Sequence, residues 1–386
     1  MNRLLLLIVL GAVSLVIACG PDTEPGVAAG DLEDIPYNPQ PYTIVKPEHF
    51  PEVPTPASNP PTVDGVQLGR RLFYDPMLSR DSSMSCASCH LPIASFTDNK
   101  AVSTGIDGIA GKRNAMSLLN IAYATNGLFW DGRVKDLEAQ ALLPVEDPIE
   151  MHHTWPQVVE KLKTHPGYPA LFRKAFGIND RSDITKELAA KAIAQFERIL
   201  ISSGNSKFDR FQYYGEADAL DDEEIDGKLM FFDEAQGVGI NLPDAQCFHC
   251  HGGITLTGNQ YFNNGLDSAG NLEDFKDPGR FVATGNPSDK GKFRAPTIRN
   301  IALTAPYMHD GRFNTLEEVL DHYGSVGNKY GPNVDPFMFQ IGFPIPGTNP
   351  VQYAELTKYH KQALVKFLHT LTDTTFINNP DIQNPF

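Results

Sequence analysis

Basic residues and cysteines are both scarce in this chain of 386 residues, and each scarcity limits the functions that the chain can have. The chain has 32 lysines and arginines against 47 aspartates and glutamates, which gives a formal net charge of −15. An acidic protein repels phosphate backbones, so we expect no nucleic-acid binding. Hydrophobic residues make up 41% and charged residues 20%. This composition excludes disorder, collagen and coiled coil for most of the chain and predicts two or three domains.

A short hydrophobic run opens the chain. Residues 1–18 contain one arginine, then apolar residues, then small residues. The run is short for a membrane span and is typical of a signal peptide. The sequence Val16-Ile17-Ala18 before Cys19 resembles a bacterial lipobox, so we predict a periplasmic protein attached to the membrane only through lipid on Cys19. An ordinary signal peptide followed by an incidental cysteine is the alternative.

A proline-rich segment follows the predicted signal peptide. Residues 20–62 hold 11 of the chain's 30 prolines together with scattered acidic residues. Proline fixes φ and removes a hydrogen-bond donor, so residues 19–62 are predicted to be an extended, acidic linker behind the lipidated cysteine. Its expected role is to hold the folded body away from the membrane.

The other four cysteines form two identical patterns. Each pair has the spacing C-x-x-C and is followed at once by a histidine; the residues are Cys86, Cys89 and His90, and Cys247, Cys250 and His251. This pattern is that of c-type haem attachment. Two thiols on one helical turn bind the two vinyl groups of a porphyrin, and the adjacent histidine reaches the iron from the proximal side. The sequence therefore predicts two covalently bound c-type haems.

Paired cysteines have three other common uses: zinc binding, a redox pair and disulfides. Zinc binding does not require a histidine directly after each pair, whereas haem attachment does. A thioredoxin-like redox pair needs a βαβ context, which the sequence does not show. Disulfides suit the expected oxidising compartment, but both pairs stand in a haem-type context. The repetition behind an export signal favours haem.

The surroundings of the two motifs are alike, which predicts an internal duplication. Matching segments precede and follow both motifs: Gly69–Asp75 and Gly227–Asp233, Asn120–Ala122 and Asn300–Ala302, and Trp130–Arg133 and His309–Arg312. We therefore predict an N-terminal haem domain at 63–215, a C-terminal haem domain at 216–371, and a tail at 372–386 that packs back on the N-terminal domain. Each copy is expected to carry one haem.

The apolar spacing is mainly helical. Apolar residues at helical intervals between Asp183 and Gly204 predict one helix, and a similar pattern from Leu356 to Leu368 predicts another. Loops rich in glycine, asparagine and proline at 252–290 and 324–350 are expected to surround the second haem. The predicted fold class is mainly α, with two class I cytochrome c-like domains and long loops.

From Gly65 to Leu371 the sequence resembles the bacterial di-haem cytochrome c peroxidase/MauG family. The resemblance is carried by the ordered motifs CASCH, KRNAMSLLN, FWDGRVKDLEAQ, PIEM, CFHCH, FRAPTIRNIALTAPYMHDG and TLEEVLDHY. It implies that His90 and His251 are the proximal ligands of the two haems. It also implies a distal-pocket glutamine at Gln140, a catalytic glutamate at Glu150 and an electron-relaying tryptophan at Trp130.

The resemblance also implies a calcium ion between the domains. The matching positions are Asn114, through its side chain, and Thr304 and Pro306, through their backbone carbonyls. Calcium is a hard cation that prefers oxygen ligands. Such an ion would fix the two domains relative to each other.

Two positions depart from the peroxidase pattern. Peroxidases of the family have a histidine after Ser103-Thr104-Gly105 that caps the first iron at rest, whereas this chain has Ile106, which is unable to ligate. Tyr323 stands where peroxidases have a methionine ligand, and MauG-type enzymes have an iron-bound tyrosine there. A phenolate favours oxidised iron and a thioether favours Fe(II). The alternative is a buried aromatic at Tyr323, with Met308 or Met338 as the ligand.

We therefore expect a peroxidase that reduces hydrogen peroxide with electrons delivered through the second haem from a small donor such as cytochrome c or a cupredoxin. The first alternative is a MauG-like enzyme whose high-valent haems oxidise a side chain of a protein substrate. The second is a non-catalytic di-haem electron carrier, against which Glu150 and Gln140 argue. The sequence leaves open whether the chain forms a homodimer.

Overall fold

The structure is a computed structural model that describes residues 30–233, 241–325 and 331–386. The predicted signal peptide and Cys19 lie outside these residues. Within them the chain is mainly helical, with four very short strands, so the predicted mainly α class is confirmed. None of the helices in these three ranges is both long enough and apolar enough to cross a membrane.

Twelve α-helices are described, and most of them are short. They are α1 Val63–Tyr74, α2 Leu137–Glu146, α3 Trp155–Thr164, α4 Tyr168–Phe176, α5 Lys186–Glu197, α6 Lys207–Tyr214, α7 Asp222–Phe231, α8 Phe248–His251, α9 Phe281–Thr284, α10 Leu316–Gly324, α11 Lys358–Thr370 and α12 Thr374–Ile377. Two antiparallel pairs complete the regular structure: β1 Tyr261–Phe262 with β2 Phe293–Arg294, and β3 Phe343–Ile345 with β4 Gln352–Ala354.

The helices surround two separate apolar cores. In the first, α1 packs against α5 and α4, and α2 packs against α5. In the second, α7 packs against α11, and α10 also contacts α11. Side-chain caps set where these helices begin: Thr62 accepts from the backbone of Gly65 at the start of α1, and Asp221 accepts from that of Glu224 at the start of α7.

A glycine allows close helix contact in each core. A Cβ placed on Gly69 in α1 would lie 1.8 Å from the carbonyl oxygen of Ala192 in α5. A Cβ placed on Gly227 in α7 would lie 2.1 Å from the carbonyl oxygen of Ala363 in α11. Both helix pairs therefore approach to a distance that only glycine permits.

The two helices predicted from apolar spacing are present with different ends. The first is α5, which begins after the N-cap Thr185 and ends at Glu197 rather than near Gly204. The second is α11, which begins after the N-cap Thr357 and ends at Thr370, two residues past the expected Leu368. Both helices begin where a threonine side chain caps the backbone, which apolar periodicity does not report.

The predicted linker is not a free spacer over its described part. Residues 30–62 form no helix or strand, yet Leu32 and Phe50 are buried. Leu32 donates to the carbonyl of Asn179, and the Tyr123 hydroxyl donates to the carbonyl of Pro51. Proline lowers helix content but does not prevent an extended segment from packing, so residues 30–62 belong to the folded body.

The C-terminal residues contact the first core. Phe376, Ile377 and Ile382 are buried among its apolar side chains. Arg70 of α1 donates to the carbonyls of Pro380 and Gln383 at 2.7 Å. These contacts bring the end of the chain back to the N-terminal half.

Candidate di-haem site

The first C-x-x-C-H motif lies on a 3-10 turn at Cys86–Ser88. The backbone N–H of His90 donates to the carbonyl of Cys86 at 3.1 Å, which brings the histidine beneath the two thiols. Nδ1 of His90 donates to the carbonyl of Phe96 at 2.8 Å. Because this bond fixes the proton on Nδ1, the Nε2 lone pair is left available for a metal.

The second motif repeats this arrangement on α8. His251 donates through its backbone N–H to the carbonyl of Cys247 at 2.9 Å and through Nδ1 to the carbonyl of Pro296 at 3.1 Å. Burial lowers the pKa of His251 to about 4, so the imidazole is neutral. Cys86, Cys89, Cys247 and Cys250 are all free cysteines rather than disulfide partners.

A large cavity adjoins the second motif. Its volume is about 1530 Å³, part of which is open to solvent, and Cys247, Cys250 and His251 form part of its wall. Apolar residues supply much of the remainder, including Leu364 and Leu368. Two free thiols, a neutral histidine and an apolar chamber are what a covalently attached haem requires, so these residues fit the group.

Tyr323 also lines this cavity, as do Met308 and Met338. Burial raises the pKa of the Tyr323 hydroxyl to about 12, while a hydrogen bond from Asn264 acts in the opposite direction. Nδ2 of Asn264 lies 3.4 Å from the Tyr323 hydroxyl oxygen and 3.5 Å from the sulfur of Met308. The structure therefore places the predicted tyrosine and both alternative methionines at one chamber.

Glu150 lies near the first motif. Its charge acts on the thiols of both Cys86 and Cys89. Burial raises the pKa of Glu150 to about 7; the negative charge of Asp147 adds to this rise, and Arg133 opposes it. A carboxyl group with a pKa near neutrality is suited to taking up and returning a proton.

The loop that carries Ile106 packs against the Glu150 segment. The backbone N–H of Ile106 donates to the carbonyl of Glu150 at 3.0 Å. A Cβ on Gly105 would lie 2.2 Å from the carbonyl oxygen of Ile149. Gln140 lies on α2, one turn before Pro144, and its backbone N–H donates to the carbonyl of Asp136 at 3.0 Å.

Trp130 comes from the N-terminal part of the chain and reaches the cavity of the second motif. It is buried, it lines the cavity of the second motif, and its indole N–H donates to the carbonyl of Asn114 at 2.8 Å. Its ring centroid lies 6.5 Å from that of His309, which in turn stacks on Phe293. This position suits a side chain that connects the two halves.

The three residues predicted to bind calcium, Asn114, Thr304 and Pro306, all line the cavity of the second motif. The amide nitrogen of Asn114 donates to the carbonyl of Lys100, which leaves its oxygen as the remaining polar atom. An amide oxygen and backbone carbonyls are hard donors of the kind that calcium takes. The donor set fits calcium, although three oxygens are fewer than its usual six to eight.

Three further polar side chains are held by contacts within the folded body. His153 is buried, and His249 stacks on Phe337 with ring centroids 3.6 Å apart. Glu138 pairs with Arg198 and accepts a hydrogen bond from Asn59. These contacts join residues far apart in the chain, so no local pattern reported them.

No sequence pattern indicated two features of the site. One is Asn264, whose amide faces the candidate ligands. The other is Arg113, which bridges Asp277 and Asp131 between the two halves at 2.7–2.8 Å. The asparagine lies in a glycine- and asparagine-rich loop where such residues ordinarily serve turns.

Two C-x-x-C-H motifs, each with an oriented histidine, in one mainly helical chain indicate a di-haem protein. The profile described as di-haem cytochrome c peroxidase matches residues 63–218. The chain is 37% identical to the methylamine utilization protein MauG of Methylorubrum extorquens over 72% of this chain and 73% of that protein. It is 32% identical to the cytochrome-c peroxidase IdrP1 of Denitromonas iodatirespirans over 97% and 95% of the two chains.

A solved structure agrees. A MauG-like protein associated with microbial copper homeostasis superposes with a TM-score of 0.77 at 33% identity, covering 89% of this chain and 99% of that one. The chain therefore belongs to the di-haem cytochrome c peroxidase family. The family resemblance expected from the sequence is confirmed.

Proposed function

We propose that this protein reduces hydrogen peroxide to water at the first haem, with two electrons from a small redox protein entering through the second. The observation that carries the proposal is the buried Glu150, with a pKa of about 7, beside the first attachment motif. A protein that only carried electrons would not need such a group. When bound, the haems supply the site where peroxide reacts and the path for electrons.

Glu150 moves the proton in this scheme. Its carboxylate takes a proton from the nearer peroxide oxygen and returns it to the farther one, which then leaves as water. Two electrons and two protons then convert the nearer oxygen, which remains, to a second molecule of water. Gln140 is proposed to orient the peroxide, and Trp130 to pass electrons between the two halves.

Two features support an open face on the first haem. Ile106 replaces the capping histidine, and its loop packs against the Glu150 segment. In addition, Pro144 is the eighth residue of α2, as Tyr323 is the eighth residue of α10. The side chain of proline has no atom that binds iron. The eighth residue of α10 therefore supplies a candidate ligand to the second haem, whereas the eighth residue of α2 supplies no ligand to the first.

These positions match because the two halves are proposed to be copies of one unit. Asn120 and Asn300, with φ of 60° and 59°, each begin a three-residue 3-10 helix. Gly132 and Gly311 have φ of 69° and 66°. The close glycine contacts of α1 with α5 and of α7 with α11 add a third correspondence. We further propose class I cytochrome c-like haem domains in both halves.

Tyr323 favours a second candidate function. A phenolate ligand stabilises the oxidised state of the second haem and disfavours its use as an Fe(II) reservoir. Relatives of this chain include proteins named MauG as well as peroxidases. The second candidate is therefore oxidation of a protein side chain by equivalents stored on the haems.

We further propose that calcium is held by Asn114, Thr304 and Pro306. The ion would join residues from both halves of the chain.

We also propose that the protein is exported and carries lipid on Cys19. This would place it in the periplasm at a membrane surface.

Glu150→Gln tests the proposed function. The amide keeps the shape of the side chain but removes proton transfer, so peroxide turnover should fall by roughly 10²–10⁴-fold. Gln157→Glu, an exchange on the nearby α3, serves as the control and should leave turnover within about twofold. Stopped-flow peroxide decay and haem content are measured together. Near-normal turnover in Glu150→Gln with both haems attached would contradict the role of Glu150.

A further inference from the structure

Two possible donors to the second haem face one side of its cavity. The hydroxyl oxygen of Tyr323 and the sulfur of Met308 lie 3.4 and 3.5 Å from the same nitrogen, Nδ2 of Asn264. Both side chains line the cavity into which His251 also faces. Because one small amide contacts both atoms, the oxygen and the sulfur lie on the same side of the cavity.

Both hydrogen bonds of the amide favour the Tyr323 oxygen over the Met308 sulfur as the ligand. A side-chain amide has two N–H hydrogens, so Asn264 is able to donate to the oxygen and to the sulfur together. Donation to the Tyr323 oxygen fixes the position of that oxygen and leaves it a further lone pair with which to bind iron. Donation to the Met308 sulfur engages a lone pair that would otherwise bind iron, although a thioether is a weak acceptor.

Asn264 is held in place from two directions. Its Oδ1 accepts from the backbone N–H of Leu266 at 3.2 Å, which turns the nitrogen toward the cavity. Its backbone carbonyl accepts from Nε2 of His322 at 3.0 Å. His322 is the neighbour of Tyr323 on α10, so the asparagine and the tyrosine are fixed relative to each other.

We propose that Asn264 is a positioning residue that selects Tyr323 over Met308 as the axial ligand of the second haem. This inference rests on the proposed function, because it takes Tyr323 to be a ligand. Outer-shell hydrogen bonds of this kind commonly orient ligands and tune the metal. The identity of the axial atom, and hence the oxidation state that the haem favours, would then depend on a residue that does not bind the iron.

The test uses Asn264→Leu in the full haem-loaded chain. Leucine has a similar size but no N–H. The ferric optical and electron paramagnetic resonance spectra and the midpoint potential of the second haem are measured. We expect loss of the phenolate-to-iron charge-transfer band, a methionine-ligated signature in its place, and a higher midpoint potential, since a thioether favours Fe(II). An intact phenolate band with an unchanged or lower potential would overturn the proposal.

Further variants keep the result interpretable. Asn264→Asp retains the acceptor for Leu266 but lacks the N–H donors, so the phenolate band should weaken in this variant as well. Adding Met308→Leu to Asn264→Leu should abolish the methionine signature. The control Asn271→Leu, at an exposed capping asparagine in the same loop region, should leave spectrum and potential unchanged. A methionine signature that survives Met308→Leu would overturn the proposal.

Tyr323→Phe tests the premise that Tyr323 binds the second iron separately from the role of Asn264. If that variant leaves the second haem's spectrum unchanged, tyrosine ligation itself is wrong and the role of Asn264 falls with it. If Tyr323→Phe removes the phenolate band but Asn264→Leu does not, only the role of Asn264 is wrong. Peroxide reduction through Glu150 is tested separately and does not depend on either result.

Discussion

At the scale of single residues, the proposed acid–base group owes its properties to its surroundings. Desolvation disfavours the charged form of Glu150, and the carboxylate of Asp147, three residues earlier, disfavours it further. Arg133 acts in the opposite direction. The result is a pKa of about 7, which allows the same group to accept a proton and to return it near neutral pH.

The first prediction at this scale is the pH dependence of turnover. The ionised form of Glu150 accepts the first proton, so peroxide turnover should rise with pH through about 7 and then level off. Asp147→Asn removes the charge that raises this pKa but keeps the oxygen that accepts from the backbone of Ile149. The rising limb should therefore move to lower pH, by up to roughly one unit.

A matched variant checks this shift. Asp136→Asn makes the same change of charge at the N-cap of α2, where the side chain accepts from Ala139. It should leave the pH profile where it is in the parent protein. Equal shifts in the two variants would show that the overall charge of the protein sets the pH profile, and not the interaction between the carboxyl groups of Asp147 and Glu150.

At the scale of elements, each of the two large apolar cores contains one close helix pair. In α1 and α5 the contact is made at Gly69, and in α7 and α11 it is made at Gly227. The backbone of the facing helix occupies the space that a Cβ would need, and backbone is unable to rotate away. Substitution must therefore separate the helices.

Gly69→Ala and Gly227→Ala should each lower the free energy of unfolding by about 1–3 kcal/mol or more. Gly167→Ala is the control, since the atom nearest to its added Cβ is 3.6 Å away, and it should cost no more than about 0.5 kcal/mol. Thermal unfolding of the haem-loaded protein, followed by circular dichroism, measures all three. Equal stability of all three variants would mean that the helix pairs tolerate wider spacing.

At the scale of the whole molecule, the sequence predicted what is local and missed what is tertiary. The attachment motifs, the positions of His90 and His251, and the cores of α5 and α11 follow from spacing over a few residues. The packing of residues 30–62 on the body does not, because proline content reports backbone freedom and not the burial of Leu32 and Phe50. Asn264 was missed for a similar reason, since its partners lie 44 and 59 residues away.

In the proposed function the two haems have different roles, and the open face of the first haem reacts with peroxide directly. The spectrum of the purified, fully oxidised protein, recorded before and after one equivalent of hydrogen peroxide with no reductant added, tests this difference. We expect high-spin ferric haem at rest and an immediate spectral change on addition, because Ile106 is unable to cap the first iron. Low-spin haem alone, with a reaction that begins only after one-electron reduction, would contradict an open first haem.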